Sequence, residues 1–467
     1  MRGENLSYWL KDFWSEFRKN TSGLVGLAFL GLFAAAAIFE PLLIPFAETN
    51  RKWRDITYWD DNPKSAPPAW TNWFASRKSA VSTVLRASET TEERSDGVRL
   101  VRHSFAYAFS YDRPPLDIIV HFKGSGNIPL IVGVQRPDGA ELELFREQAT
   151  VNDGEDVRIP LGKAAKSAVF DFAKGYEPEE ATADIDIGQI RSVNVLFARA
   201  QEGMLARPEP LRGRYTFTLT VMLLDEASRI DEPRVVISGG VSGILGTDNS
   251  KRDLWSGMIA GVKWALLIGL LTAFVAVALG VVYGIVSAYF GGWVDAVMQR
   301  VFEIFVNMPL LPILIVMSAV FRPSIWFMIL MMSAFFWVGP VKTVRAIALQ
   351  IKEETYIEAS RALGAGSARI IFRHMVPLLV PYSFASMALY VPGAVVYEAT
   401  VSLLGLGDAR IVTWGQLLRD ALGGGAVLNG LWWWVVPPGI SIALMGMTFA
   451  FIGFAMDKIL HPKLRTR

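Results

Sequence analysis

The sequence predicts an α-helical membrane protein of six transmembrane helices, with an extracytoplasmic antiparallel β-sandwich inserted between the first two. Three observations carry that prediction. Uncharged runs lie at 21–39, 264–290, 304–321, 323–341, 375–397 and within 421–456, each long enough to cross about 30 Å of hydrocarbon as a helix. About 200 residues of ordinary soluble composition separate the first run from the second. Basic residues gather in alternate short loops. Composition agrees: of 467 residues, 52% are hydrophobic and 19% charged, against roughly a quarter charged in soluble domains. A purely soluble enzyme and a purely membranous bundle are both excluded.

Residues 1–20 read as a short helix in the cytoplasmic interface. Trp9, Phe13 and Phe17 recur at i, i+4, i+8 beside Leu10 and Trp14, facing away from Lys11, Glu16 and Lys19. The first transmembrane helix takes 21–46. Ala34 to Ala37 imitate a signal-cleavage site, but the uncharged stretch of 19 residues exceeds the roughly 7–15 of a signal core. It reads as an uncleaved anchor. Orientation follows from the positive-inside rule. Arg2, Lys11, Arg18 and Lys19 precede the first span, and Lys458, Lys463, Arg465 and Arg467 follow the last. Lys342, Arg345, Lys352, Arg361, Arg369 and Arg373 lie between the fourth and fifth. All three segments, and hence both termini, are expected to be cytoplasmic, and residues about 47–253 fall outside. That outer segment holds 27 basic and 31 acidic residues, leaving about +6 for the rest of the chain. This is the balance of an inner-membrane protein with an exported domain; the lipid bilayer is its partner, and nothing calls for nucleic acid.

The exported domain, 47–243, is predicted β-rich. Strand-length runs fall at 104–109, 117–122, 129–134, 141–145, 167–172, 192–197 and 215–223. Tyr215, Phe217, Leu219 and Val221 alternate with three threonines, so one face is buried and one wet. Arg136-Pro-Asp-Gly139 is a hairpin turn, since Pro presets φ and Gly accepts a positive one. Seven short strands with regular turns predict the sandwich. Residues 47–98, rich in Pro, Trp and charge, read as irregular structure at its base.

Little of this looks like catalysis. Absence of Cys removes thiol chemistry and Cys-based metal sites. His103 and His121 show no metal spacing, and Asp184 with Asp186 reads as a solvated acidic loop. No P-loop is present: Leu161-Gly-Lys163 is followed by Ala, and Gly423 to Gly425 make a turn. No catalytic, metal or cofactor site is assigned.

The informative segment is 353–377, EETYIEASRALGAGSARIIFRHMVP. It resembles the EAA loop of the membrane subunits of ABC importers, with Glu358, Ala359, Ser360, Gly364 and Pro377 at the matching positions. Ser360 replaces the second Ala, small for small. The Arg373-His374-x-x-Pro377 ending is similar to the oligopeptide/dipeptide permease branch, C-type subunit. Gly246-Thr-Asp248 with Arg252-Asp253, Tyr289-Phe-Gly-Gly-Trp-Val-Asp295, Ser402-Leu-Leu-Gly-Leu-Gly407, Asp457 and Pro462 extend the likeness over about 20–45 and 244–467. Two departures stand out: Lys251 replaces a Gly of the entry motif, and the exported domain far exceeds the branch's usual first loop.

The resemblance implies a permease core at 244–467 that forms half of a translocation pathway. It implies a second homologous permease subunit, two cytoplasmic P-loop ATPase subunits that bind ATP and Mg, and an extracytoplasmic solute-binding protein. The cargo implied is a di- or oligopeptide, an oligosaccharide or, in a few relatives, nickel. Glu358, Ala359, Ser360, Arg361, Gly364 and Pro377 would carry coupling to the ATPases. The residues themselves agree: small side chains on 355–363 allow close approach, and Gly364 with Gly366 permits a sharp turn into a second helix at 367–375. Ionisable or helix-breaking residues inside spans are pathway or gating candidates, here Glu303, Asn307 and Glu398, with Pro309 and Pro312 bending the third span. Two rivals remain: a membrane-anchored β-sandwich binding or sensor module, and a secondary transporter. The first wants a cytoplasmic output domain and the second a matched second half.

Overall fold

The computed structural model describes residues 13–44, 49–95, 98–224 and 228–460. It divides into two compact units, Met1–Arg54 with Ser256–Arg467, and Asp55–Trp255.

In the first unit, residues 1–12 of the expected interfacial helix, Trp9 to Lys11 among them, lie outside the described residues. Residues 13–17 are helical, and the ring of Phe17, 4% exposed, lies against Gly23. Helix α1 (Thr21–Ile38) starts at Asn20, whose side chain accepts from the Gly23 N–H. It packs on the last long helix through small residues, where a Cβ at Gly26 would meet the Thr448 carbonyl at 2.8 Å. Then come α2 (Leu254–Phe290), α3 (Gly292–Asn307), α4 (Leu310–Val320), α5 (Ile325–Phe336) and α6 (Val338–Lys352). They are followed by α7 (Thr355–Ala362), a turn of helix at Ser367–Ile370, a π turn at Ile371–Met375, and α8 (Val376–Leu403). Helices α9 (Trp414–Gly423) and α10 (Trp432–Leu460) complete the unit.

Among the described residues five helices are long and apolar enough to span a bilayer, and the α3–α4 pair makes a sixth where it counts as one span. That pair breaks the third span at Asn307 and Pro309, where a break was expected, whereas Pro312 lies within α4. The pair bends by 79° across Met308 and Pro309, where the missing proline N–H interrupts the helical ladder. The fourth expected span also outruns its apolar stretch: α5 and α6 continue to Lys352, carrying Lys342 and Arg345 on helix.

In the second unit one sheet replaces the two-sheet sandwich. Strands β1 (Thr83–Arg86), β2 (Glu89–Ser95), β3 (Val98–Phe109), β4 (Asp117–Gln135), β5 (Glu141–Pro160), β6 (Gly213–Leu223) and β7 (Arg229–Ser238) run in the order β1-β7-β4-β6-β3-β2, with β5 also paired to β4. The reason lies in β4. Its 19 residues pair with β5 along one edge, while the other edge is shared, 117–125 with β7 and 130–135 with β6. Register shifts at Gly124/Gly126, where Gly126 has φ +96°, bend the strand so that it serves both halves. The alternation read from the sequence holds: Tyr215, Phe217, Leu219 and Val221 are fully buried together with Phe105 and Phe122.

Two expected strands are helices. Lys166–Lys174 buries Val169, Phe170 and Ala173, and Ser192–Leu196 buries Val193, Val195 and Leu196; all of these but Phe170 join the sheet's core. Short apolar runs do not distinguish strand from helix by periodicity. Within 47–98, expected irregular, β1 and β2 are paired strands. The hairpin turn forms as read: Gly139 has φ +84°, and buried Arg136 donates to the carbonyls of Leu196 and Ala198 at 2.5 and 2.6 Å. At the entry motif, Lys251 takes φ +65°, in the left-handed region that favours glycine. Asp248 accepts there from the N–H groups of Ser250 and Arg252.

Candidate functional site

The segment 353–377 folds as a helix–glycine–helix peg. Glu354 precedes α7 in extended conformation, and the peg turns at Gly364, φ +83°, a region that costs other residues about 1–2 kcal/mol. Gly366 stays at φ −70° and starts the next helical turn. Two isoleucines anchor the peg. Ile357 and Ile370, both 0% exposed, enter a cluster with Val281, Ile285 and Ala288 of α2 and Val344 and Ala348 of α6. The guanidinium of Arg361 sits 5.7 Å over the Tyr289 ring, and Lys352 donates to the Ala288 carbonyl at 3.4 Å.

The opposite face is open. Glu358 and Ala359 are exposed, Leu363 is 89% exposed, and Ser360 returns its hydroxyl to the Tyr356 carbonyl. Pro377 stands at the start of α8, directly after the π turn. A rigid body with a buried root and an apolar tip suits docking to another protein and passing movement to α6 and α8.

The three pathway candidates do not share one site. Glu303 pairs with Arg300 at 2.6 Å on an exposed face of α3. Asn307 donates to the Glu303 carbonyl and closes α3 just before the bend. Glu398 is 4% exposed and accepts from Ser402 and Thr413 at 2.7 and 2.8 Å, which makes it a brace between α8 and α9. Near the bend, Phe305, Met308 and Leu310 line a cavity of about 330 Å³ with Phe336, Gly339 and Tyr390.

Reading the sequence missed Asp408, which caps α5 by accepting from the Ile325 N–H at 3.1 Å. It also used Arg345 only for orientation, although Arg345 chelates Asp295; the Asp that ends the 289–295 motif was the available signal. In the second unit, each ring nitrogen of His121 meets a carboxylate, Asp61 at 2.6 Å and Asp156 at 3.2 Å. Burial works to raise Asp61, but His121 and Arg158 outweigh it and hold its carboxyl below the usual range. An open cavity of about 720 Å³ adjoins Asp184 and Asp186, and Asp186 caps the Gly188 N–H. Among the described residues no cluster of acidic or imidazole ligands is arranged to hold a metal ion.

Comparison with known proteins matches the two ends of the chain. The family of binding-protein-dependent transport system inner membrane components matches residues 280–466, and the N-terminal transmembrane domain of oligopeptide transport permease C matches 7–68. The dipeptide transport system permease protein DppC of Bacillus subtilis is 34% identical over 222 residues, 47% of this chain and 69% of that one. The chain belongs to the dipeptide/oligopeptide permease family. The oligopeptide transport system permease protein OppC of Haemophilus influenzae is 33% identical over 222 residues, covering 47% and 70% of the two chains. A chain of the MetNI methionine ABC transporter aligns with 45% of this chain and 97% of its own, at 20% identity and a TM-score of 0.32, too loose to bear on the helix arrangement. The permease is therefore a multi-pass inner-membrane transport subunit of an ABC importer, and not an enzyme. Residues 69–279, between the two family matches, contain the whole of the bent sheet.

Proposed function

We propose that this permease forms half of a translocation pathway for di- or oligopeptides and is driven through the peg by two cytoplasmic P-loop ATPase subunits. A second homologous permease subunit completes the pathway, and an extracytoplasmic solute-binding protein delivers the cargo. The dipeptide and oligopeptide relatives support peptides over the other cargoes. ATP and Mg belong to the ATPase subunits, and this chain holds no cofactor of its own. In this reading α3–α4 counts as one of six spans, both termini and the peg lie in the cytoplasm, and the sheet unit lies outside, where it docks the binding protein or shields the pathway mouth.

One observation carries the proposal: the peg is rooted in α2 and α6 by fully buried Ile357 and Ile370 while Glu358, Ala359 and Leu363 face outward. Coupling residues in this reading are Glu358, Ala359, Ser360, Arg361, Gly364 and Pro377. Gly364 sets the angle between the two halves of the peg, so a β-branched residue there misdirects the second half. In the reconstituted complex, Gly364→Val should abolish stimulation of ATP hydrolysis by loaded binding protein while insertion and docking outside persist. Unimpaired stimulation would remove the assignment.

A further inference from the structure

Between the peg and the bend of α3–α4 lies a polar knot. Arg345, on α6, grips Asp295, in the first turn of α3, with two parallel bonds: Nε to Oδ1 at 2.8 Å and Nη2 to Oδ2 at 2.5 Å. Asp295 also accepts from Ser287, near the end of α2, and Gln299 of α3 donates to that same Ser287 hydroxyl at 3.1 Å. One turn further along α3, Tyr283 of α2 donates to the Met298 carbonyl at 2.5 Å. Gly291 and Gly292, at φ +63° and +51°, fold α3 back so that these groups can meet.

Apolar helix contacts are non-directional and allow small slides. A bidentate carboxylate–guanidinium pair is not so permissive, because it fixes both the separation and the relative rotation of its two backbones. Helix α6 runs seven residues beyond Arg345 to Lys352, and the peg follows at Thr355. Helix α3 runs the other way from Asp295 to Asn307 and the bend. At 1.5 Å per residue α3 is about 24 Å long, so a small rotation at one end displaces the other by more.

We infer that the Asp295–Arg345 pair is the positioning link through which displacement of the peg-bearing helix α6 reaches α2 and α3, and through α3 the bend beside Glu303, Asn307 and Phe305. The inference rests on the proposed role of the peg. It assigns Arg345 and Asp295 to coupling, with no contact to cargo or nucleotide required of either.

Because the chain has no cysteine, paired spin labels report on α3 directly. Val306→Cys, at the far end of α3, and Leu32→Cys, on α1, are both on exposed residues. Distances are measured in the assembled importer, its partner subunits freed of cysteine, before and after trapping with ATP and vanadate. The unsubstituted link should show a nucleotide-dependent change. Asp295→Asn and Arg345→Gln should each erase it, lower stimulated ATP hydrolysis by at least about fivefold, the low end of inter-site coupling, and leave unstimulated hydrolysis in place. The exchange Asp295→Arg with Arg345→Asp should restore the change. A full change in either single substitution, or no change with the link intact, overturns the inference. If the singles do not assemble, Arg345→Lys decides: it keeps the charge but not the paired geometry, and an undiminished change overturns the inference. The Gly364→Val control separates the two readings. A distance change that survives Gly364→Val counts against the peg, whereas one lost there but kept in the link variants counts against the link alone.

Discussion

Thr413 donates its hydroxyl to Glu398 Oε1 at 2.8 Å while accepting the Gln416 N–H as the N-cap of α9. One hydroxyl thus closes a helix start and holds it to α8. The approach is tight, since a Cβ at Gly415 would meet the Ala399 Cα and the Ser402 Cβ at 2.7 Å. Glu398 is a brace, and that decides what its loss should do.

Removing the brace should cost stability before it costs transport selectivity. Thr413→Val loses the cap, worth about 1 kcal/mol, and leaves the buried carboxylate with Ser402 alone. Glu398→Ala strands two hydroxyls and opens a void, for roughly 2–4 kcal/mol. Thermal inactivation of the detergent-extracted complex should show both, Glu398→Ala more strongly, with little change in the KM for cargo. A large KM effect at intact stability would mean that Glu398 touches cargo.

The tip of the peg should be an apolar contact. Leu363 is 89% exposed, and covering such a side chain contributes about 1.5–3 kcal/mol. Leu363→Asp should therefore weaken co-purification of the ATPase subunits by at least about tenfold. Arg369→Gln, a single charge in a basic loop, should change it by less than about threefold. Equal effects from the two would contradict an apolar contact.

The first span should depend on Gly26 and not on Gly31. A Cβ at Gly26 meets the Thr448 carbonyl at 2.8 Å and Ile452 at 3.0 Å, while one at Gly31 meets nothing within 4 Å. Alanine favours helix over glycine by up to about 1 kcal/mol, so Gly31→Ala should be neutral or stabilising. At Gly26 the clash with backbone outweighs that gain. Disulfide cross-linking of Cys pairs placed on α1 and α10 should fall in Gly26→Leu and persist in Gly31→Ala.

Acid should release the Arg136 turn. Burial acts to raise Asp138, but the Arg136 guanidinium and the Ala140 N–H outweigh it, so its carboxyl lies below the usual range. A depressed carboxyl contributes stability above the unfolded value of about 3.9; that contribution disappears as pH falls through the folded value. Asp117 and Asp248, both raised chiefly by burial, act in the opposite sense, so the informative quantity is the difference from Asp138→Asn. At neutral pH that variant should lose roughly 1–3 kcal/mol, because buried Arg136 loses its counter-charge. Below about pH 4 the gap should narrow. Unfolding of the purified full-length chain, followed from pH 7 to pH 2, measures it; a gap that widens in acid would reverse the sign assigned to Asp138.

Much of the site was legible because its chemistry is local. Gly364 needed no partner to be read as the pivot of the peg, and the turn at Arg136 to Gly139 followed from four adjacent residues. The brace at Glu398 was not legible, since the carboxylate stood out by its charge but Thr413 is fifteen positions away. Neither was the grip of Arg345 on Asp295, fifty positions apart, because periodicity says which face a residue occupies and not what faces it.

The amino-acid sequence by itself determined the apolar lengths that make a membrane protein, the insertion of a β-rich unit after the first span, the burial face of β6 and the pivot at Gly364. These depend on run length, alternation and turn chemistry, which neighbours along the chain set among themselves. Only the tertiary structure decided that seven strands make one bent sheet, that 166–174 coils instead of extending, and that the expected break in the span at 304–321 falls before Leu310 with an angle of 79°. Each of those outcomes turns on a choice between locally acceptable conformations. It is made by what the segment packs against: β4 can carry two partners on one edge only once β6 and β7 have both arrived there.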